Sequence, residues 1–222
     1  MALPKKTITT EVVGTFEKAQ EVEFAKDLLV KGSTRLTMKW GKGKTLGAGL
    51  KKKLAAPVDL DLSLFGCNAN YECVNMDGIN FFAHLESLGG AVKHSPDARD
   101  GGGEEWIDVD FSKLPAEIEV LVITASNFNG NEHLGMVNDA EIIINYGDGG
   151  ELKCPISENA ELENHKAAAF VIFEKKSEES WSLKVEPTII ALNEQQNAEN
   201  LEGLCLYFGL DPAALKAAYP GC

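Results

Sequence analysis

Most of the features that announce a membrane protein, a metalloprotease or a hydrolase are missing from this 222-residue chain. No apolar run approaches the ~20 residues that a bilayer-crossing helix needs. The opening segment, Met1 to Thr10, carries lysines but no apolar stretch, so no secretory leader is read and a cytoplasmic location is the default expectation. The five cysteines (Cys67, Cys73, Cys154, Cys205 and Cys222) are odd in number and irregular in spacing. The Cys67–Cys73 interval is not a common zinc-knuckle spacing, and free thiols in a reducing compartment are the plain reading, with Cys222 able to bridge subunits under oxidising conditions. The four histidines (His84, His94, His133 and His165) are scattered without zinc spacing. No Gly-x-Ser-x-Gly motif is present. Gly41-Lys42-Gly43-Lys44-Thr45 has the look of a phosphate loop, but the position where the spacing requires glycine is Met38. With no nucleophile and no acid–base set, an enzyme is not expected.

What is present is charge, and it is segregated. The net charge is −13, yet residues 1–57 hold 12 Lys and Arg against 5 Asp and Glu, a net of +7, and the remainder carries −20. An acidic body argues against nucleic-acid binding through the main domain. Gly41 to Pro57 is rich in glycine and lysine, with Lys42, Lys44, Lys51, Lys52 and Lys53 as candidate docking residues. Two readings stand: a solvated loop, or an arm that docks on an acidic surface such as DNA, anionic lipid or the acidic body of a neighbouring copy.

The hydrophobic pattern is that of an all-β protein. Thr34–Trp40, Ile79–Phe82, Trp106–Phe111, Val120–Ala125, Ala140–Tyr146, Ala168–Glu174 and Trp181–Ala191 have strand character and are separated by Gly, Asn, Asp and Pro turns. Tyr146-Gly147-Asp148-Gly149-Gly150 reads as a hairpin turn. Many short strands at regular spacing predict a sandwich or barrel. Phe16 to Leu29 predicts a short amphipathic helix. A second helix is expected over Ala198–Phe208, and a third segment opens with Asp211 as its cap and Pro212 in its first position. Trp40, Trp106 and Trp181 lie in strand-like runs and are read as sheet residues.

Val58-Asp59-Leu60-Asp61-Leu62-Ser63-Leu64-Phe65 alternates strictly. A strand here puts Asp59, Asp61 and Ser63 on one face and Val58, Leu60, Leu62 and Leu64 on the other. Paired carboxylates on a strand face either sit in water or share a cation. A second acidic group runs from His94 to Glu105, a glycine-rich loop carrying Asp97, Asp100, Glu104 and Glu105. Trp106, Asp108 and Asp110 then share one face of the strand that follows it. Hard cations such as Ca²⁺ take six to eight oxygens, and a glycine loop can bend its backbone to offer them. Neither segment is an EF-hand loop.

Three ordered segments resemble the TerD family of tellurite-resistance and stress-response proteins. They are Val58–Phe65, Phe82–Asp97 and Glu104–Pro115, which parallel that family's DLDAS strand, GSVVHTGDN turn and DDE-x-I-x-VDLSKVP strand. Leu134–Ile144 and Ala168–Glu174 also look like family segments, so the resemblance spans roughly Leu29 to Leu210. It implies a two-layer β-sandwich that binds Ca²⁺ through its acidic strand and turns. Matched position by position, the implied ligands are Asp59, Asp61, Asp97, Glu104 and Glu105, and Asp100 joins them from its place in the loop. The chain departs from the pattern at Ala98, where the turn has Asn, and at Gly103-Glu104-Glu105, where the cluster has DDE.

The expectation is therefore a TerD-type sandwich over residues 29–210 with short C-terminal helices. A basic arm (1–28) precedes it and a helical tail (211–222) follows. In function it is a non-enzymatic Ca²⁺-binding domain that presents a protein-interaction surface. The alternative, of a different class, is a structural or virion assembly protein whose basic arm and loop dock on neighbouring subunits.

Overall fold

Runs of β-branched and aromatic residues pack well on a pleated surface, and the chain uses them to build two sheets. The computed structural model describes residues 6–8, 13–15, 20–41, 59–98, 103–127, 134, 139–155, 167–188 and 201–220. Among these, the first sheet runs in the order β1 (Lys6–Ile8), β3 (Gln20–Ala25), β14 (Ser180–Thr188), β13 (Ala167–Ser177), β10 (Val120–Asn127), β5 (Leu60–Cys67) and β6 (Ile79–Asn80). The second runs β2 (Val13–Thr15), β12 (Gly150–Pro155), β11 (Glu141–Tyr146), β4 (Thr34–Trp40), β9 (Gly103–Val109), β8 (Val92–His94) and β7 (Glu86–Ser87). The β1–β3 and β2–β12 pairs are parallel, and the long central pairs are antiparallel.

The inner faces merge into one buried cluster. Leu36, Met38 and Trp40 of β4, Ile107 and Val109 of β9, and Ile142 and Ile144 of β11 meet Leu60, Leu62 and Leu64 of β5 and Leu121 and Ile123 of β10. This is the all-β, two-layer sandwich that the alternating runs predict.

A second cluster covers the outer face of the first sheet. Helices α2 (Leu201–Tyr207) and α3 (Pro212–Ala218) place Leu204, Cys205 and Leu215 over Phe65, Cys67, Val120 and Val122. Phe208, just past α2, stacks on Phe65 with ring centroids 4.4 Å apart. Asp211 caps α3 by accepting from the Ala213 N–H at 2.9 Å, with Pro212 in the first turn, as its sequence indicates. Because both faces of the first sheet are covered, every residue of β5 is buried. Its polar side is therefore not the solvated strand face that alternation alone suggests.

The helix expected over Phe16–Leu29 is a correction. Gln20–Ala25 is strand β3, and helix α1 is a single turn, Lys26–Leu29. Val22 and Phe24 alternate with Glu21 and Glu23, and pairing with β14 outweighs the weak helical periodicity. Phe24 is fully buried and meets Tyr146 edge-on at 4.9 Å. The segment read as an arm thus supplies β1, β2 and β3 to the two sheets.

Tyr146 also explains a glycine. A Cβ at Gly150, its cross-strand partner, would sit 2.5 Å from the Tyr146 ring. Gly150→Ala should therefore lower stability by about 1–3 kcal/mol through overpacking, read as a fall in denaturation midpoint. Combining it with Tyr146→Leu should remove most of the added penalty; an equal penalty in both backgrounds would count against this contact.

Candidate metal centre

Strand β10 pairs with β5 along its full length, whereas β6 reaches only Leu64 and Phe65 on the other side. The peptide of Leu62 would be left open on that edge, inside a sandwich where an unmet polar group is costly. Two side chains from the second sheet close it. Glu105 Oε2 accepts from the Leu62 N–H at 2.8 Å, and His94 Nε2 lies 2.8 Å from the Leu62 carbonyl oxygen. His94 Nδ1 lies 2.6 Å from the Ser95 carbonyl oxygen. Both ring nitrogens thus face carbonyl oxygens, so this imidazole is aimed as a donor and not as a metal ligand. Burial pushes its pKa down, while the two carbonyls and Asp97 pull the other way.

Glu105 owes its position to strand parity. Strand β9 starts at Gly103, earlier than the Trp106 start its sequence suggests, so Glu105 joins the inward set with Ile107 and Val109. Glu104, Trp106 and Asp108 face the other way. There Lys39 sits 3.2 Å from Glu104, and Arg35 makes two 2.7 Å hydrogen bonds to Asp108 while lying over the Trp106 ring. Each charge pair is directly cross-strand, Arg35 opposite Asp108 and Lys39 opposite Glu104. Asp110 lies beyond the strand end and is held by Ser112 and Lys113.

The second oxygen of Glu105, Oε1, accepts from the Ala98 N–H at 3.2 Å. Ser95 reinforces the approach by donating its N–H to the Trp106 carbonyl and accepting from the Trp106 N–H. These bonds pull the Ser95–Ala98 segment inward and deliver Asp97. One carboxylate oxygen each from Asp61, Asp97 and Glu105 then lie within 4.8 Å of one another. Asp61 and Glu105 are buried and Asp97 is half-buried, so the cluster opens towards solvent on the Asp97 side.

Three acids this close repel when ionised. Burial pushes the Glu105 carboxyl up to about 7; the N–H donors of Leu62 and Ala98 oppose that shift, and the charges of Asp97 and Asp59 add to it. At neutral pH the site is therefore balanced between taking a proton and taking a cation. All its donors are carboxylate oxygens, the set that suits a hard divalent ion.

Of the residues singled out in the sequence, the structure brings together Asp61, Asp97 and Glu105. Asp59, immediately before β5, is near enough for its charge to act on Glu105. Glu104 is on the opposite face of β9. Asp100 and the lysines Lys42, Lys44, Lys51, Lys52 and Lys53 lie outside the described residues. The family motif places His94 in the turn with Asp97, but its role as the partner of Leu62, made across to the opposite sheet, has no local signal in the sequence. Ala98, where the related turn carries Asn, contributes a backbone N–H to Glu105, and its methyl packs against the core.

Comparison with known families matches the TerD domain over residues 14–202. Curated relatives include uncharacterized protein YceE of Bacillus subtilis, 40% identical over 92 residues (39% of this chain, 48% of that protein). Tellurium resistance protein TerZ of Serratia marcescens is 38% identical over 91 residues (35% and 45%), and general stress protein 16U of B. subtilis 34% over 92 (39% and 48%). The chain spans about half the length of the curated relatives it matches. A crystal structure of a Streptomyces coelicolor homologue of telluride resistance protein TerD superposes with a TM-score of 0.52, covering 75% of this chain and 98% of that one at 15% identity. At that identity the likeness speaks for the fold alone.

The raised Glu105 pKa sets a pH dependence. Its carboxyl has an ordinary value of 4.5 and a folded value of about 7, so between these limits the folded chain holds the extra proton. Stability from this group is greatest below pH 4.5 and is lost as pH rises to about 7. Denaturant unfolding in chelator should show wild type losing more stability than Glu105→Gln between pH 5 and pH 8. Parallel curves would rule out a strained, ionisable Glu105.

Proposed function

The chain belongs to the TerD family, and from that premise we propose that it is a calcium-binding domain, without catalytic activity of its own, in a cytoplasmic stress or tellurite-resistance system. The observation that carries the metal reading is the Asp61–Asp97–Glu105 cluster, an all-oxygen set partly withdrawn from water. Relatives named for tellurium resistance and general stress supply the physiological setting. Among the described residues no helix is long and apolar enough to cross a membrane.

Asp61, Asp97 and Glu105 would hold the ion, with Asp59 adding negative charge beside them. Bound there, Ca²⁺ would supply the positive charge that offsets the burial and repulsion acting on Glu105. The chain's own residues convert this into order. Glu105 gives up its proton while keeping its bonds to Leu62 and Ala98, so ionisation tightens the link between β5 and the Ser95–Ala98 segment. Asp97 stays next to Asp61 instead of turning out to water. The result is a fixed surface at that end of the sandwich on which a protein partner can dock.

Calorimetry should detect Ca²⁺ binding and a calcium-dependent rise in melting temperature in wild type. Asp61→Asn and Asp97→Asn should lose both, and Glu104→Gln should keep both. Binding should release up to about one proton near pH 6.5, and apparent affinity should fall by as much as about tenfold per pH unit below pH 7. No heat and no melting shift in wild type would end the metal reading.

Charge segregation supports a second element of the proposal, self-association or protein docking. The +7 of residues 1–57 and the −20 of the remainder are complementary between copies. Replacing Lys42, Lys44, Lys51, Lys52 and Lys53 with glutamine should abolish any association seen by light scattering at low salt, and high salt should do the same to wild type. A monomer that is insensitive to salt would contradict it.

A further inference from the structure

At the far end of β5 the chain turns back on itself, and two cysteines meet. Cys67 ends the strand, and Cys73 faces it across an isolated antiparallel bridge. The flanking hydrogen bonds define which kind of bridge this is. The Val74 N–H donates to the Gly66 carbonyl at 3.3 Å, and the Asn68 N–H donates to the Glu72 carbonyl at 2.9 Å. The cysteines' own peptides bond elsewhere, Cys73 N–H to the Phe208 carbonyl at 2.8 Å and the Cys67 carbonyl from Glu119 N–H at 2.9 Å. That is the narrow, non-hydrogen-bonded pair, whose Cα atoms stand about 4.5 Å apart. The spacing falls inside the range that a disulfide spans.

The surroundings hold this geometry in place. Asn68 Oδ1 accepts from the N–H groups of Asn70 and Glu72 across the turn. Tyr71 turns with a φ of 62° and donates its hydroxyl to Glu174 of β13. A Cβ at Gly78 would come within 2.7 Å of Cys73 Sγ, so this glycine keeps room for the sulfur. Both thiols are free, Cys67 buried and Cys73 half-buried. A hydrogen bond from Cys67 holds the Cys73 thiol below its ordinary value against the opposing effect of burial, and the same bond together with burial pushes Cys67 up. Cys73, the half-buried member of the pair, is the thiol that an oxidant in solution reaches first, and Cys67, fully buried behind it, is the resolving partner. Cys154 is pushed up to about 12 by burial and does not compete.

We propose that Cys67 and Cys73 form a redox-active dithiol that a hydroperoxide converts into an intramolecular disulfide across the strand bridge. The Cys73 thiolate attacks one peroxide oxygen; the O–O bond breaks, the alcohol (or water) departs, and Cys73 carries a sulfenic hydroxyl. The Cys67 sulfur then displaces that hydroxyl, which leaves as water with the Cys67 proton, and the S–S bond forms. Two thiols and one hydroperoxide give one disulfide, one alcohol and one water, with two electrons passing from sulfur to oxygen. Because Cys73 also holds the Phe208 carbonyl, the oxidised bridge fastens β5 to the helical layer. Small thiols reverse the step by exchange.

The test uses the full chain with Cys222→Ser, reduced, exposed to hydrogen peroxide, then alkylated and analysed by mass spectrometry. The expected result is a loss of two hydrogens, with fragments produced by cleavage after Glu72 remaining joined until a reductant is added. Cys67→Ser should stop at a sulfenic acid on Cys73 that dimedone traps, and Cys73→Ser should leave Cys67 unmodified under the same exposure. Circular dichroism checks that each variant is folded, and if one is not, wild type with and without urea decides, since the native bridge should form faster in the absence of urea. The proposal falls if peroxide leaves both thiols open to alkylation, drives Cys73 to sulfinic acid without joining Cys67, or joins the pair only in denaturant.

Discussion

The peptide of Leu62 is the point on which the arrangement turns. Strand β5 is paired along one edge and only partly along the other, and a buried N–H or C=O left unmet costs about 1–3 kcal/mol. The sandwich meets that demand with side chains from the opposite sheet, a carboxylate for the N–H and an imidazole for the carbonyl. Closing the sheet edge in this way places an acid inside the protein. Once Glu105 is there, its second oxygen captures the Ala98 N–H and draws Asp97 beside Asp61. The acidic cluster is thus a consequence of how the two sheets are joined, and not a decoration added to a finished core.

This origin explains why Glu105 differs from the acids on the outer faces of the sheets. On the outer face of β9, Glu104 and Asp108 each have a cationic partner directly across the ladder, Lys39 and Arg35. Glu174 on β13 lies among Lys176, Lys184 and Tyr71 and is held at about 2, its hydrogen bonds outweighing the burial that pushes it up. For Glu105 the balance tips the other way: two backbone donors do not offset burial and two neighbouring negative charges. An acid whose charge is already met gains little from an ion, whereas one raised by burial, with repulsion added, is where a cation would have most effect.

Much of this was legible in the residues, for reasons that can be stated. The alternation in Asp59–Phe65 identified both the strand and its inner face, because Leu60, Leu62 and Leu64 share the core with β9 and β11. The turn before Gly150 and the Asp211–Pro212 helix start were readable because they depend on local backbone chemistry. Long-range partnerships were not readable. Gln20–Ala25 has marginal periodicity of either kind, and the presence of β14 and β1 on its two sides decides for strand. Glu105 sat one step outside the strand its sequence suggested, and extending the Ile107–Val109 parity backwards would have turned it inward. Glu104, its neighbour and equal in composition, falls on the opposite face for the same reason.

Strand β5 carries different chemistry at its two ends. Asp61 and Cys67 are six residues apart, which at ~3.3 Å per residue is ~20 Å, a distance at which a charge interaction at an effective dielectric of ~20 has fallen below ~1 kcal/mol. Charge at the carboxylates therefore has little direct hold on the thiols. What joins them is mechanical: the strand is buried on both faces, paired throughout with β10, tied at one end by Glu105 and His94 and at the other by the bridge to Cys73. Tightening either end restrains a strand whose central residues form the core for both layers. Ion binding and thiol oxidation, resting on separate residues, would then act on the same element, the first fixing β5 to the opposite sheet and the second fixing it to the helices.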